Sequence, residues 1–302
     1  MTRRKQVVRW VHDNAHARWD VVPALLYPLR ASRGRATPIT YRMLGRVGRL
    51  GNQLFQIAGA LAVAAERGAP VLLPDWRYRP YFSVPDEVFA RHERELLGAR
   101  DAFRFADCIE SRHERIFLQH HSLPESVRPE VLRWFHPSAL AAEAMEGQLP
   151  IGHLTALHVR TWFRPAEVAA AAVDGTPWGG LTLNPTYVNL TPEYYIDGAR
   201  SVAVPGTTFV IFSDAPAWCR TEIAPSLAGL GDVVVVEGNS DWLDLFLMAR
   251  CNRHVISNST YAWWGAFLSD DPEPVRPSRV LTDPTNRRHD RLFPPSWRVV
   301  DV

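Results

Sequence analysis

Three short polar segments of this sequence each follow an apolar stretch, and their residue types suit an anionic ligand. The first is the glycine-rich segment Gly48-Arg49-Leu50-Gly51-Asn52. The unpaired N–H groups and the macrodipole of a helix N-terminus attract an anion, and glycine lets a ligand approach the backbone. Asn52 adds an amide that can donate and accept hydrogen bonds. An ordinary strand-to-helix turn remains an equal alternative, because the spacing matches neither a dinucleotide fingerprint nor a P-loop.

The second segment contains His158 and Arg160, at the end of a predicted strand. Ligands of α/β proteins bind at the carboxyl ends of strands, and a guanidinium can contact two phosphate oxygens at once. Arg160 is therefore a candidate phosphate ligand, and a surface ion pair is the alternative. His158 is either a nucleotide contact or a histidine satisfied within the core.

The third segment is Asn258-Ser259-Thr260, which lies between a predicted strand and a predicted helix. Hydroxyl groups and backbone N–H groups at such a junction form a second candidate anion site. The alternative is a helix N-cap that binds no ligand. Trp263 and Trp264 follow at adjacent positions, so they cannot share one helix face, and one of them is expected in the core.

Alternating strands and helices must position these three segments. Strands are predicted over residues 39–44, 71–73, 154–159, 209–212, 233–236 and 254–257, and helices over residues 53–67, 85–97, 137–145, 192–201, 241–251 and 261–268. This repeated alternation predicts parallel strands with right-handed crossovers, in two Rossmann-like lobes that face a cleft. The expected domains are a leader (1–38), an N-terminal lobe (39–150) and a C-terminal, nucleotide-binding lobe (151–302).

Composition agrees with two modest domains and with a small-molecule ligand. The chain has 302 residues, is 46% hydrophobic and carries a net charge of +2, so no strong electric field favours nucleic acid. Cys108, Cys219 and Cys251 are too few for a disulfide scaffold and are not spaced as a zinc site. We expect all three to be small buried residues in a reducing compartment.

The segment from Gly48 to Ala58 resembles the opening motif of the alpha-1,2-fucosyltransferase family, glycosyltransferase family 11. The likeness returns at later places in the same order, namely Phe117-Leu118-Gln119, His158-Val159-Arg160, Phe212-Ser213-Asp214 with Trp218, and Asp244 through Leu268. Pro294, Ser296 and Trp297 match the usual ending of the family. The resemblance covers roughly residues 39 to 298.

The resemblance implies a GT-B-type α/β fold and an inverting transfer of L-fucose from GDP-fucose to a sugar hydroxyl, often the 2-OH of galactose. It implies that Arg160 binds the diphosphate. Many sugar-nucleotide transferases hold a metal with an Asp-x-Asp pair, which this sequence lacks. Arginine and helix-end N–H groups would then form the charge clamp, with no metal or other cofactor. The expected partners are a GDP-sugar donor and an oligosaccharide or glycolipid acceptor.

The sequence departs from the family directly after Arg160. The family usually continues with Arg-Gly-Asp, whereas Thr161, Trp162 and Phe163 follow here. Arg164 is a candidate for the missing second positive charge. The departure leaves two alternatives open, a transferase of the same fold with another sugar nucleotide, and a non-catalytic relative that binds carbohydrate or nucleotide.

Asp214 is the candidate for base recognition, because a carboxylate can accept hydrogen bonds from both N1–H and the amino group of guanine. Its alternative is a cap or turn before Pro216. The general base for the acceptor hydroxyl is not identified by sequence. Glu167, Asp174 and Glu193 all lie near the irregular segment 161–192 and are equal candidates.

The N-terminal leader gives the only sign of a membrane. Residues 3–29 interleave arginines with valines, leucines and tryptophans, as in an amphipathic helix on an anionic surface. A helix packed on the main body, or a loose leader, is the alternative. No apolar run approaches the ~20 residues that a membrane-spanning helix needs, so we expect a cytoplasmic protein. If the leader does contact a membrane, we expect that contact at the inner face of a bacterial membrane.

Overall fold

The computed structural model describes residues 36–105, 108–109, 116–163, 166–168, 181–286 and 288–302. Most of the predicted leader, with the candidate membrane segment 3–29, lies outside these ranges, so membrane contact stays a prediction. Among the described residues, every helix is too short or too polar to cross a bilayer.

A fully parallel, six-stranded sheet forms the C-terminal part of the fold. Its strands are β3 (His153–Val159), β4 (Thr207–Ser213), β5 (Asp232–Val235), β6 (Arg253–Val255), β7 (Val275–Pro277) and β8 (Arg298–Val300), in the order β5-β4-β3-β6-β7-β8. Strand β3 lies between β4 and β6, and residues 154–159 are buried. The four predicted strands of this part are confirmed. The sequence analysis missed β7 and β8, which are three residues long and carry arginine or proline.

The N-terminal part has much shorter strands. Strands β1 (Ile39–Thr40) and β2 (Arg100–Asp101) pair in parallel. Single parallel bridges join Ile39 to Val71 and Leu73 to Phe89. The predicted strand over residues 39–44 ends early, because Leu44 N–H donates to the carbonyl of Tyr41 and closes a turn. The described part of the chain therefore contains a parallel sheet within an α/β fold, and a second complete lobe stays a prediction.

Helices connect the strands and cover the sheet. They are α1 (Leu50–Glu66), α2 (Ser122–Ser126), α3 (Arg128–Trp134), α4 (Ala139–Met145), α5 (Pro192–Val202), α6 (Pro216–Glu222), α7 (Ala224–Leu227), α8 (Asp241–Ala249), α9 (Thr260–Phe267) and α10 (Arg288–Leu292). The helices predicted at 53–67, 137–145, 192–201, 241–251 and 261–268 are confirmed within a few residues.

The predicted helix over residues 85–97 is wrong. Two short 3-10 turns, Asp86–Val88 and Glu93–Gly98, flank an extended stretch there. The carbonyl of Val88 and the N–H of Ala90 both bond to Leu73. Because these backbone groups extend the N-terminal sheet, they are not available for a helix.

One apolar core joins the N-terminal helix α1 to the C-terminal helices α8 and α9. Trp263 and Trp264 are both fully buried in it, and both pack against Phe55 of α1 with ring centroids 4.6 and 5.0 Å apart. The expectation that one of these tryptophans lies in the core is confirmed, and the second is buried as well, because helices α1 and α8 both contact α9. Cys219 and Cys251 are buried as expected, whereas Cys108 is exposed.

Candidate active site

The glycine-rich turn directs the N-terminus of helix α1 toward the carboxyl end of the sheet. Gly48 has a φ of +77°, and a Cβ there would lie 2.6 Å from the Cβ of Asn52, so the turn needs glycine for two reasons. The N-cap residue Arg49 makes no side-chain capping bond. The first N–H groups of this 17-residue helix therefore have no side-chain cap.

Asn52 joins its own segment to two others that resemble the family, Phe117-Leu118-Gln119 and Asn258-Ser259-Thr260. Its Oδ1 accepts hydrogen bonds from Nε2 of Gln119 at 2.8 Å and from Oγ1 of Thr260 at 2.7 Å. Leu118, next to Gln119, has a φ of +52°, which is strained for a branched residue. The surrounding tertiary packing maintains this conformation. The next residue, Gln119, thereby contacts Asn52 at the start of helix α1.

Gly51 lies at the contact between helices α1 and α9. A Cβ on Gly51 would stand 2.6 Å from the backbone nitrogen of Tyr261, and its carbonyl accepts a 2.9 Å bond from Nε1 of Trp264. Close packing of two helix N-termini is thus a sufficient structural reason for glycine here. A direct contact of Gly51 with nucleotide stays a prediction.

The Asn258-Ser259-Thr260 segment caps helix α9 and anchors neighbouring loops. Ser259 is the N-cap, and its hydroxyl accepts from the N–H of Tyr261 at 3.2 Å. The buried Asn258 amide donates to the carbonyls of Val188 at 2.8 Å and Val280 at 3.1 Å. These bonds give the Asn258 side chain a structural role in holding two loops. A contact of Asn258 with nucleotide stays a prediction.

Arg160 and Asp214 form an ion pair at the ends of adjacent strands β3 and β4. Nη1 of Arg160 lies 2.7 Å from Oδ2 of Asp214, and the two side chains are 17% and 24% exposed. Oδ1 of Asp214 accepts from the N–H of Thr161 at 3.1 Å. The structure thus pairs the two residues that sequence analysis had assigned to the phosphate and the base, and the N-cap of helix α6 is Ala215 instead of Asp214.

Trp162 occupies the position of the glycine in the family's Arg-Gly-Asp sequence, and its backbone is in the left-handed region with a φ of +56°. Its ring stacks on Tyr187 at 3.7 Å, and its Nε1 donates to Oδ1 of Asn258 at 2.7 Å. The guanidinium carbon of Arg160 lies 4.8 Å from the ring centroid. Three contacts therefore hold a tryptophan in a conformation that favours glycine.

Arg49 supplies a second positive charge that sequence analysis did not assign. Burial lowers the pKa of Arg160; the nearby Asp214 carboxylate opposes that shift, and the positive charge of Arg49 adds to it. The two guanidiniums therefore interact at the N-terminus of helix α1. The position of Arg49 inside the glycine-rich turn is the sequence feature that could have identified this second positive charge. Arg164, the residue that was expected to supply this charge, lies outside the described residues.

Comparisons with known proteins bear on the family resemblance. Residues 198–297 match the model of glycosyl transferase family 11. An 82-residue stretch is 35% identical to the alpha-1,2-colitosyltransferase of Escherichia coli, covering 26% of this chain and 28% of that enzyme. A 250-residue stretch is 26% identical to the galactoside alpha-(1,2)-fucosyltransferase 2 of Oryctolagus cuniculus, covering 75% of this chain and 66% of that enzyme. These matches support the resemblance to the alpha-1,2-fucosyltransferase family.

The chain spans less than two thirds of the length of both these relatives. Among solved structures, it is similar to POFUT1 in complex with GDP-fucose, with 12% identity and a TM-score of 0.42 over 88% of this chain and 97% of that one. The family model covers helix α9 and the segment Asn258-Ser259-Thr260, since both lie within residues 198–297.

His158 is buried close to Arg160. Its Nδ1 shares a 2.9 Å hydrogen bond with Oγ of Ser257, and its ring lies 5.4 Å from that of Tyr261. Burial, aided by the charge of Arg160, lowers the pKa of His158 to about 3. His158 is therefore a neutral imidazole at physiological pH, and a nucleotide contact through it would be a neutral hydrogen bond.

This burial predicts an acid-sensitive contribution to stability. The folded protein binds a proton on His158 more weakly than the unfolded chain, whose histidine pKa is about 6.5. Stability from neutral His158 is thus present above pH 6.5 and is lost as the pH falls toward 3, by up to ~1.4 kcal/mol per pH unit. We expect His158→Gln to flatten the pH dependence of unfolding between pH 6.5 and 4, and exposed His136→Gln to leave it unchanged. Parallel curves for wild type and His158→Gln would contradict the assignment.

The candidates for the general base differ in their hydrogen bonding and exposure. A carboxylate oxygen of Glu167 accepts from the N–H of Thr182 at 2.6 Å, whereas Glu193 is exposed in the first turn of helix α5. Asp174 lies outside the described residues.

Within the described ranges, no cluster of three or more histidine, cysteine or acidic residues could hold a metal ion.

A further polar cluster lies on the other side of Tyr261. The Tyr261 hydroxyl donates to the carbonyl of Asp241 at 2.6 Å, and the Tyr78 hydroxyl donates to the carboxylate of Asp241. Asp244 accepts from Asn239 at 3.0 Å, and its burial raises its pKa. Sequence analysis had quoted Asp244 only as part of the family resemblance, and the structure places this second carboxylate near Tyr261, whose pKa is raised by burial and further by the charge of Asp244.

Proposed function

We propose that this protein transfers L-fucose from GDP-fucose to a sugar hydroxyl, with inversion and an alpha-1,2 linkage, often to galactose. The observation that supports the proposal is that Arg49, at the N-cap of helix α1, is close enough to Arg160 for its positive charge to lower the Arg160 pKa. Asn52 in the first turn of the same helix is held by Gln119 and Thr260. Such preorganised charge stabilises a diphosphate as it leaves the sugar.

In this proposal Arg160 is the catalytic residue, because it contacts the departing diphosphate. Gly51, Asn52, His158, Asp214 and the segment Asn258-Ser259-Thr260 complete the proposed nucleotide-sugar site. Departure of the nucleotide creates oxocarbenium character on the sugar, so charge stabilisation at the diphosphate lowers the barrier. The arginines fulfil this role without a metal ion or another cofactor.

The proposed architecture is of the GT-B type. Residues 39–150 form the N-terminal lobe and residues 151–302 form the nucleotide-binding lobe, after a leader of residues 1–38. The parallel bridges of Ile39 to Val71 and of Leu73 to Phe89 support a Rossmann-like order in the N-terminal part. In this arrangement the nucleotide-sugar lies between helix α1 of one lobe and the carboxyl ends of β3 and β4 of the other.

We place the reaction in the synthesis of a bacterial polysaccharide, with an oligosaccharide or glycolipid acceptor. The protein would act in the cytoplasm or at the inner face of the membrane, through contact of residues 3–29. The alternation of arginines with apolar residues in the leader supports this membrane contact. Loss of vesicle binding after removal of residues 3–29 would support it.

A different donor sugar is the second candidate, and two observations favour it. Trp162 stands where the family usually has glycine, and the local match to a colitosyltransferase, at 35% identity, is stronger than the match to the mammalian fucosyltransferases. In this alternative the nucleotide site is the same, and only the pocket for the sugar differs.

Calorimetric titration with GDP, GDP-fucose and UDP-sugars, followed by a turnover assay, tests the proposal. We expect GDP and GDP-fucose to bind and UDP-sugars not to bind, with release of GDP when an acceptor such as a galactoside is added. Binding of GDP with turnover of a different GDP-sugar would favour the second candidate. Binding without any turnover would favour a non-catalytic relative.

A further inference from the structure

We propose that Asp214 is a positioning residue that orients Arg160 toward the diphosphate, and that it does not read the nucleobase. The inference rests on the proposed function, because it takes Arg160 to be the diphosphate ligand. The carboxylate of Asp214 suggested recognition of guanine, whereas the inference gives it the role of orienting Arg160. The evidence is the geometry at the carboxyl ends of strands β3 and β4.

Both carboxylate oxygens of Asp214 already have protein donors. Oδ2 lies 2.7 Å from Nη1 of Arg160 in their ion pair, and Oδ1 accepts from the N–H and the hydroxyl of Thr161 at 3.1 and 3.4 Å. Recognition of guanine through N1–H and its amino group needs both oxygens of one carboxylate. Guanine could therefore bind to Asp214 only by displacing Arg160 or Thr161.

The contacts of Arg160 leave part of its guanidinium available for a ligand. The backbone N–H of Arg160 donates to the hydroxyl of Tyr195 at 3.3 Å, and the ring of Trp162 lies against the guanidinium. Among the residues that the structure describes, Nε and Nη2 of Arg160 have no hydrogen-bond partner. These N–H groups can make the two parallel bonds that arginine forms with phosphate, while Nη1 stays on Asp214.

The charges around Arg160 make an orienting carboxylate necessary. Burial and the nearby Arg49 both disfavour the Arg160 cation, whereas Asp214 favours it. Without Asp214, the Arg160 side chain would move away from Arg49 toward solvent. An outer-shell carboxylate that fixes a ligand residue in this way acts on affinity through that residue.

Calorimetry with GDP and GMP separates the two roles, because only GDP carries the β-phosphate. Asp214→Asn keeps the size of the side chain and an acceptor for Thr161 but removes the charge. We expect it to weaken GDP binding by about tenfold and to change GMP binding by less than about threefold. In an Arg160→Ala background, we expect Asp214→Asn to have no further effect, which is the signature of action through Arg160.

Two further variants keep the test decisive. Asp197→Asn is the matched control, because Asp197 pairs with exposed Arg200 at 3.0 Å, and it should leave both affinities unchanged. If Asp214→Asn does not fold, Thr161→Val removes the hydroxyl bond to Asp214 with both charges retained. It should weaken GDP selectively, by less than Asp214→Asn would.

Three results would overturn the inference. Equal weakening of GDP and GMP with lost preference over ADP would make Asp214 a base-reading residue. Tighter binding of GDP would make it a competitor of the diphosphate, and a persistent effect in the Arg160→Ala background would separate it from Arg160. Failure of wild type to bind GDP, or unchanged binding by Arg160→Ala, would instead refute the proposed function.

Discussion

Replacement of Arg160 by alanine is expected to weaken GDP binding by at least about tenfold, because charge-assisted hydrogen bonds contribute about 1.5–3 kcal/mol each. Fucosyl transfer should fall further, since the same guanidinium stabilises the departing diphosphate in the transition state. Calorimetry with GDP and a turnover assay with GDP-fucose measure the two effects. Addition of EDTA should change neither, because the clamp consists of arginines.

The control for this variant is Arg220→Ala. Arg220 forms an ion pair with Glu237 at 2.5 Å on an exposed face of the fold, and both partners are about half exposed. Its loss removes the same charge from the protein and should leave GDP affinity unchanged. GDP binding that vanishes with EDTA, or that survives Arg160→Ala, would show that another group holds the diphosphate.

Replacement of Trp162 by glycine is expected to destabilise the protein, although it relieves backbone strain. The left-handed conformation costs a non-glycine residue about 1–2 kcal/mol, which glycine would regain. Against this, Oδ1 of Asn258 would lose the hydrogen bond from Nε1 of Trp162, at a cost of about 1–3 kcal/mol. The stack on Tyr187 and the burial of the indole would be lost as well. We expect a net loss of about 1–3 kcal/mol in the free energy of unfolding.

The same variant should weaken GDP binding several-fold, because the contact of the Trp162 ring with Arg160 contributes about 0.5–2 kcal/mol. Denaturant unfolding and calorimetry measure the two effects. Trp162→Phe is the comparison variant, since it keeps an aromatic ring but loses the indole N–H, and its effects should be smaller. A glycine variant more stable than wild type would mean that strain outweighs the contacts of the tryptophan.

The parallel sheet and the long helices were predictable from the sequence because their signal is local. Strand β3 is an unbroken apolar run, and the apolar spacing of helix α1 continues over four turns. The family resemblance is local in the same sense, since each motif is contiguous. From these features the sequence alone indicated an α/β fold with a parallel sheet, the resemblance to the alpha-1,2-fucosyltransferase family and the candidacy of Arg160 as a phosphate ligand.

The partners of the polar side chains were decided only by the tertiary structure. Asp214 and Arg160 are separated by a long stretch of sequence. The parallel pairing of β3 with β4 places Val159 opposite Ser213, so that Arg160 and Asp214, the next residue on each strand, come together. Sequence could therefore list the chemistry of Asp214 but not its nearest cation. The same reason explains why the second charge was assigned to Arg164 and not to Arg49.

Packing decided the roles of the small and the strained residues. Gly51 was predicted as a ligand contact from its place in a glycine-rich turn, yet its missing Cβ also makes room for the backbone of Tyr261. The left-handed conformation of Trp162 depends on Tyr187 and Asn258, which are distant in sequence. The sequence by itself determined which segments could bind an anion. The tertiary structure decided which side chains face it, because contacts between distant residues form only when the chain is folded.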